Sequence, residues 1–121
     1  MKFEILIASK GRPHCPTAKT LRSGGEESFE ILVEPQQEAD YAAEWPGRTH
    51  TIPENNRGLS YVRQYALTKP GGPKWYWMLD DDITGFYEAE NGKCTKIPAA
   101  DCLKKAERLI LECEAKLGNL G

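Results

Sequence analysis

Short apolar runs alternate with amphipathic or polar stretches over the first 83 residues. The apolar runs are typical of buried strands, and several intervening stretches carry apolar side chains at helical spacing. The predicted order is strand 3–8, helix 16–22, strand 29–33, helix 36–45, strand 48–52, helix 58–68 and strand 75–79. Because parallel neighbours need long connections that helices usually provide, the pattern predicts an α/β fold with a mostly parallel, Rossmann-like sheet and flanking helices.

A different pattern follows residue 83. Asn91-Gly92 separates two short runs and predicts the turn of a β-hairpin. A final helix is predicted over 98–117, with an apolar stripe formed by Leu103, Ala106, Leu109, Ile110, Cys113 and Leu117. We therefore predict one domain over residues 1–121, with a core of 1–83 and an appended hairpin and helix over 84–121.

Composition limits the partners that the chain can have. Its 121 residues include 16 Lys and Arg against 18 Asp and Glu, a formal net charge of −2, which argues against a large polyanion-binding face. No apolar run approaches the roughly 18 residues that span a bilayer, so we expect no membrane partner and a cytoplasmic location. The four cysteines lack the spacing of metal or redox motifs and are expected to be reduced thiols.

Three consecutive carboxylates, Asp80-Asp81-Asp82, follow the apolar strand 75–79 directly. In extended backbone Asp80 and Asp82 would share a face, where their charges repel unless a cation lies between them. Ligands bind at the carboxyl ends of parallel strands, and carboxylate oxygens suit Mg²⁺ or Mn²⁺, which often adds substrate phosphates as ligands. The triplet therefore predicts a site for a divalent metal and a diphosphate, with Asp80 and Asp82 as metal ligands; the alternative is a solvated turn.

A second candidate segment, Asn56-Arg57-Gly58, leads into the predicted helix that contains Arg63. Glycine allows a ligand to approach the backbone closely, and arginine donors match phosphate oxygens. Taken alone, these basic residues could equally be solvated surface side chains.

Loops after the first two strands supply further candidates. Ser9, Lys10 and Arg12 follow the first strand and Glu34 follows the second, so the topology brings them to the same edge as the aspartates. Lysine or arginine could meet phosphate there, and Glu34 could accept hydrogen bonds from a base or ribose, although a solvated carboxylate is the plainer interpretation. The absence of a Gly-x-Gly-x-x-Gly or Gly-Lys-Ser/Thr motif disfavours dinucleotide and P-loop sites.

The order of these motifs resembles a GT-A nucleotide-sugar glycosyltransferase, and more narrowly the phage group called TET-associated glycosyltransferases. The similarity rests on residues 56–63 and 77–83 within a stretch of roughly 3–88. It implies metal-dependent transfer of a sugar from a nucleotide-diphosphate donor to an acceptor hydroxyl, with Mn²⁺ or Mg²⁺ as cofactor. Hydroxymethylated pyrimidines in phage DNA would be the acceptors, and the cytoplasm would then be that of the host cell.

The same resemblance implies roles for individual residues. Asp80, Asp81 and Asp82 would contact the donor ribose and the metal, with Asp82 as the principal metal ligand and catalytic residue. The nucleotide-sugar pocket would be lined by Ser9, Lys10, Arg12, Glu34, Asn56, Arg57, Gly58 and Arg63.

One departure from the GT-A pattern concerns the acceptor half, which usually follows the Asp-x-Asp strand. Here the chain ends at residue 121, so we expect a complete donor half followed by a reduced or absent acceptor half. The competing hypothesis is a noncatalytic nucleotide-sugar binding module or fragment that needs an acceptor half, a partner chain or a second copy. A third is a small interaction domain whose aspartates are surface charge.

Overall fold

The computed structural model describes residues 3–68 and 76–120, which form a four-stranded sheet, a separate hairpin and flanking helices. The elements are β1 Glu4–Ala8, α1 Pro16–Ser23, β2 Glu30–Val33, a 3₁₀ helix Pro35–Gln37, α2 Glu38–Glu44, β3 Thr49–Thr51, α3 Gly58–Thr68, β4 Tyr76–Leu79, β5 Phe86–Glu90, β6 Lys93–Ile97 and α4 Ala99–Leu120. The predicted elements are all present. The predicted start of β4 at residue 75 lies outside the described residues.

All pairings in the main sheet are parallel, in the order β3-β2-β1-β4. This confirms the predicted Rossmann-like α/β sheet. β1 is central, β2 and β3 continue on one side, and β4 returns to the other side. The successive strands β1, β2 and β3 are added in one direction, and β4 is then added on the other side of β1. The position between β1 and β4 is therefore a topological switch point, where a crevice opens beyond the carboxyl ends of the strands.

Alternating side chains of the strands separate two cores. Ile5 and Ile7 of β1 pack with α1, α2 and the start of α4 on one face. Leu6 packs on the opposite face, which is covered by α3. β4 follows the same alternation, because Trp77 joins the first core and Met78 the second. Both faces of the sheet are thus covered by helices, as a buried parallel sheet requires.

The predicted second helix begins differently from the pattern. A 3₁₀ turn occupies Pro35–Gln37, with the Gln37 amide donating to the Glu34 carbonyl at 2.9 Å, and the α-helix starts only at Glu38. This helix is polar, yet its Tyr41 is fully buried and anchors it to the sheet.

The hairpin and the last helix form a smaller unit. Asn91 and Gly92 have φ angles of 51° and 77°, as a two-residue hairpin turn of type I′ requires. The apolar stripe of α4 is only partly covered, since Leu103 is buried while Leu109 is 62% exposed. The side chain of Leu117 lies outside the described residues.

The four cysteines are free thiols, as predicted, and Cys15 is the buried one. Among the residues that the structure describes, no helix has the length and apolar character needed to cross a membrane.

Candidate functional site

A cleft of about 330 Å³ lies at the carboxyl edge of the sheet, at the switch point between β1 and β4. Its volume is in the range of small-molecule sites. Its walls come from the ends of all four strands and the first turns of α3. The structure brings together here seven of the predicted site residues: Ser9, Lys10, Glu34, Gly58, Asp80, Asp81 and Asp82.

Asp81 is held in place by residues that follow β1. Ser9 Oγ donates to Asp81 Oδ2 at 2.7 Å, and Arg12 Nη1 lies 3.0 Å from Asp81 Oδ1. Since a hydroxyl has one proton, the Tyr41 hydroxyl, 2.6 Å from Ser9 Oγ, must donate to Ser9. The Arg12 amide in turn donates to the Tyr41 hydroxyl at 2.9 Å. Both oxygens of Asp81 are therefore occupied by protein donors.

The backbone around the triplet is fixed by α1. The buried hydroxyl of Thr17 donates to the Asp80 carbonyl and accepts from the Ile83 amide at 2.9 Å. Thr20, one helical turn later, donates to the Ile83 carbonyl at 2.9 Å. These bonds bracket the triplet on both sides, so its shape is set by the scaffold.

The triplet forms a turn at residues 81–82, so the expectation of extended backbone was wrong. The physical reason is that Thr17 and Thr20 fold the chain back along α1 immediately after β4. All three aspartates nevertheless line the cleft, because the turn directs them there without needing the alternation of a strand.

Asp80 and Asp82 differ from Asp81 in having open carboxylates. Both are exposed, and within the described part of the chain neither side chain has a hydrogen-bond or ion-pair partner. Among the same residues no group of three or more His, Cys, Asp or Glu side chains could hold a metal by itself. Two open carboxylates fit a divalent metal that takes its remaining ligands from phosphate oxygens and water.

Glu34 is the centre of a second polar network. It is 4% exposed, so the interpretation of a solvated carboxylate is wrong. Gln36 Nε2 donates to its Oε1 at 2.6 Å, the Asn56 amide donates to its Oε2 at 3.1 Å, and Lys10 Nζ lies 3.5 Å from its Oε1. Burial among donors keeps this carboxylate at one end of the cleft, with lone pairs left for a ligand.

Apolar side chains line the cleft between these two polar groups. They are Ala8, Leu32, Ile52, Leu59 and Val62. Leu59 is 46% exposed and lies at the mouth of the cleft. An apolar wall bounded by a buried carboxylate and an acidic turn suits a ligand with a flat ring and a charged end.

The remaining predicted residues lie around the cleft. Asn56 accepts from Lys10 Nζ at 2.8 Å, and its φ of 56° turns the chain into α3. Arg57 pairs with Glu54 at 2.8 Å and stacks on Tyr61, so its charge is engaged outside the cleft. Arg63 is exposed on α3 and does not line the cleft.

Sequence reasoning missed the residues that position the acidic turn. Tyr41, Thr17 and Thr20 contact the turn or its partners but carry no motif. A signal was present in each case: Tyr41 is the large residue of an otherwise polar helix, and the two threonines are spaced to share one face of α1.

Burial also affects two ionisable groups next to this site. It raises the pKa of the Tyr41 phenol above its ordinary value of 10.0, so Tyr41 remains a hydrogen-bond donor at neutral pH. Burial likewise raises the pKa of the Cys15 thiol, and the nearby Asp81 charge acts in the same direction.

Comparison with known proteins identifies the family of the chain. No curated protein and no solved structure was found to match the chain. The family model of TET-associated glycosyltransferases matches residues 3–119, which extends beyond the predicted similarity over 3–88 and includes α4. Because the match covers nearly the whole sequence, the chain belongs to the TET-associated glycosyltransferase family.

Proposed function

We propose that this glycosyltransferase is of the GT-A type and transfers a sugar from a nucleotide-diphosphate donor to an acceptor hydroxyl with the help of Mn²⁺ or Mg²⁺. The observation that carries the proposal is that the three aspartates of the Asp-x-Asp turn have different surroundings. Asp81 is fixed by Ser9 and Arg12, whereas Asp80 and Asp82 are open toward the cleft. This arrangement leaves two like charges open in one cleft, where a divalent cation would offset their repulsion.

The cleft suggests how a donor would lie. Asp80 and Asp82 would hold the metal, which supplies charge stabilisation to the diphosphate as it leaves. Lys10 Nζ, which Asn56 and Glu34 hold at the opposite end of the cleft, would contact the nucleoside part of the donor. Glu34 would accept from the ribose or base, and the apolar wall would cover the base.

The arginines around the cleft would have different roles. Arg12 would act through Asp81, whose position it fixes. Arg63 stands four residues after Leu59 and hence on the same side of α3 as a cleft residue, so its long side chain would reach a bound diphosphate. Arg57 and Asn56 would shape the loop that presents Gly58 to the donor.

In the transfer itself, the bond between the sugar carbon and the diphosphate oxygen breaks and a bond from the acceptor oxygen forms, while the acceptor proton passes to a base. For the acceptor we propose hydroxymethylated pyrimidine in phage DNA, on the basis of the family alone. The reaction would then take place in the cytoplasm of an infected host.

A second candidate function is a noncatalytic donor-binding module. It is favoured by one observation: apart from the acidic turn, the described cleft residues include only Glu34 as an acid and no histidine. Glu34 is already bound by Gln36, Asn56 and Lys10, so no free base is evident there. A partner chain, a second copy or an acceptor half would have to supply one.

A thermal-shift titration tests donor binding. The purified chain is titrated with nucleoside diphosphates and nucleotide sugars, with and without Mn²⁺ or Mg²⁺. A ligand at about 100 times its Kd stabilises the fold by about 2.7 kcal/mol, which a melting curve resolves. We expect a shift that needs both metal and nucleotide and that is lost in Asp82→Ala.

The matched control is Asp40→Ala, which removes an exposed aspartate from α2, away from the cleft. It should keep the metal-dependent shift. An equal shift with and without metal, or in Asp82→Ala, would contradict the proposed metal site. Donor hydrolysis or transfer by the same sample would distinguish an enzyme from a binding module.

A further inference from the structure

A second groove, of about 420 Å³, lies on the far side of the segment that follows the acidic turn. One wall is α1, with Lys19, Thr20 and Ser23, and the opposite wall is the hairpin, with Lys96 on β6. The strand connection through Thr84 and Gly85 runs between the two walls. Thr20, which lines the groove, donates a hydrogen bond to the carbonyl of Ile83, the residue that follows the acidic turn of the donor cleft.

The charge of this groove is unlike that of the protein as a whole. Two lysines line it and no carboxylate does, although the chain carries a net charge of −2. In the described part of the chain, neither Lys19 nor Lys96 has an ion-pair or side-chain hydrogen-bond partner. The lining hydroxyls of Ser23 and Thr84 are also free there of hydrogen bonds.

An aromatic ring stands beside these donors. Tyr87 is 58% exposed and is the cross-strand partner of Lys96. A Cβ added at Gly85 would lie 3.2 Å from the Tyr87 ring and 3.4 Å from Lys96 Cε, so both side chains lie over Gly85. Unpaired lysines, free hydroxyls and an exposed ring form a combination that suits phosphate groups of a single-stranded nucleic acid.

We propose that this groove binds a phosphate group of the acceptor strand, with Lys19 and Lys96 as its cationic contacts. The identity of the ligand as the acceptor strand rests on the proposed glycosyltransferase function, whereas phosphate binding in the groove follows from its charge and shape. It places the donor and the acceptor strand on opposite sides of the segment that contains Asp82 and Ile83.

Binding of a short fluorescein-labelled single-stranded oligonucleotide, followed by anisotropy over about 50 to 200 mM salt, tests the groove without donor or metal. Each phosphate contact on a single strand contributes about 0.7 to the slope of log K against log salt. Because the two lysines are proposed to share one phosphate group, we expect Lys19→Ala/Lys96→Ala to reduce that slope by about 0.7. Lys104→Ala, a control at an exposed lysine of α4 outside the groove, removes one charge and should change the slope much less.

The matched double control is Lys104→Ala/Lys93→Ala. If it reduced the salt slope as much as the groove variant does, the proposal would be overturned, because the loss would then follow from net charge and not from the groove. Competition with inorganic phosphate distinguishes a site for free phosphate from a site for the phosphate groups of an oligonucleotide. Displacement of the oligonucleotide by phosphate in the wild type supports one shared site. Binding of phosphate with no binding of oligonucleotide would overturn the assignment to an acceptor strand.

Failure of this inference and failure of the proposed function are distinguishable. The metal-dependent thermal shift with nucleotide should be the same in the wild type and in Lys19→Ala/Lys96→Ala, because both lysines lie outside the donor cleft. Loss of that shift in the wild type contradicts the donor site alone, and the anisotropy result still decides the groove.

Discussion

The Ser9 hydroxyl lies 2.7 Å from Asp81 Oδ2, although the two residues are 72 positions apart in the chain. This bond joins the end of β1 to the turn after β4. Ser9 also accepts a hydrogen bond from the buried Tyr41 hydroxyl, so three side chains form one continuous path of hydrogen bonds. Asp81 is thereby a positioning residue for the open carboxylates on either side of it.

Removal of this hydroxyl should destabilise the fold. In Ser9→Ala both Tyr41 and Asp81 lose a partner in a mostly buried setting, which costs about 1–3 kcal/mol of unfolding free energy. Urea denaturation measures the loss. Ser60→Ala, which removes an exposed hydroxyl from α3, is the control and should change stability little.

Tyr41→Phe completes a double-mutant cycle with Ser9→Ala. Because both changes break the same path, their effects should not add, and the coupling energy should exceed the roughly 0.5 kcal/mol seen for independent sites. Strict additivity would argue against a shared network.

Substitution of Gly58 probes the backbone conformation at the mouth of the cleft. Its φ of +82° is costly for other residues, so Gly58→Ala should lose about 1–2 kcal/mol of stability. A methyl group there would also project from a cleft-lining residue and should weaken nucleotide binding. The control is Gly92→Ala, with φ +77° and open space at the hairpin turn: it should lose similar stability and keep nucleotide affinity.

Substitution of Gly24 probes the packing of the start of α4 against the end of α1. Its φ of −91° is ordinary, but an added Cβ would lie 2.8 Å from Ala99 Cβ and closer still to the Ala99 nitrogen. Gly24→Ala should therefore cost about 3 kcal/mol or more in unfolding free energy, because helix backbone cannot yield as a side chain does. In Gly25→Ala the nearest atom is 3.9 Å away, so only the backbone penalty of its φ of +86° applies. A smaller melting-temperature loss in Gly24→Ala than in Gly25→Ala would contradict this packing.

Alkaline pH should weaken the fold through Cys15. Burial raises the pKa of its thiol above the ordinary 9.0, so as pH rises past 9.0 the unfolded chain loses its thiol proton first. The shift of the Cys15 pKa therefore leaves the free energy of unfolding unchanged below pH 9.0 and lowers it above that pH. The raised pKa of Tyr41 lowers it further above pH 10.0. Urea denaturation across this range should show a shallower fall in Cys15→Ala. Cys94→Ala, at an exposed thiol, should keep the wild-type profile.

The sequence predicted the sheet and the position of the site because both depend on local signals. Apolar runs and turn residues mark the strands, and the parallel order brings loops at the strand ends to one edge. The burial of Glu34 and the separate role of Asp81 could not be predicted. Both depend on partners far away in sequence. Asn56 lies 22 residues from Glu34, and Tyr41, which carries no motif, acts on Asp81 through Ser9. The turn at Asp81 was missed for the same reason, because its shape is imposed by Thr17 from another element.

The parallel pairing of β1 with β4 has a consequence for the order of folding. Leu6 pairs with Met78, so the strand that carries the acidic turn joins the sheet only after a long loop has closed. Nucleotide capture should therefore appear during refolding only when β4 has joined the sheet. A ligand added during refolding would report the arrival of β4, and would speed neither collapse nor the pairing of β1 with β2.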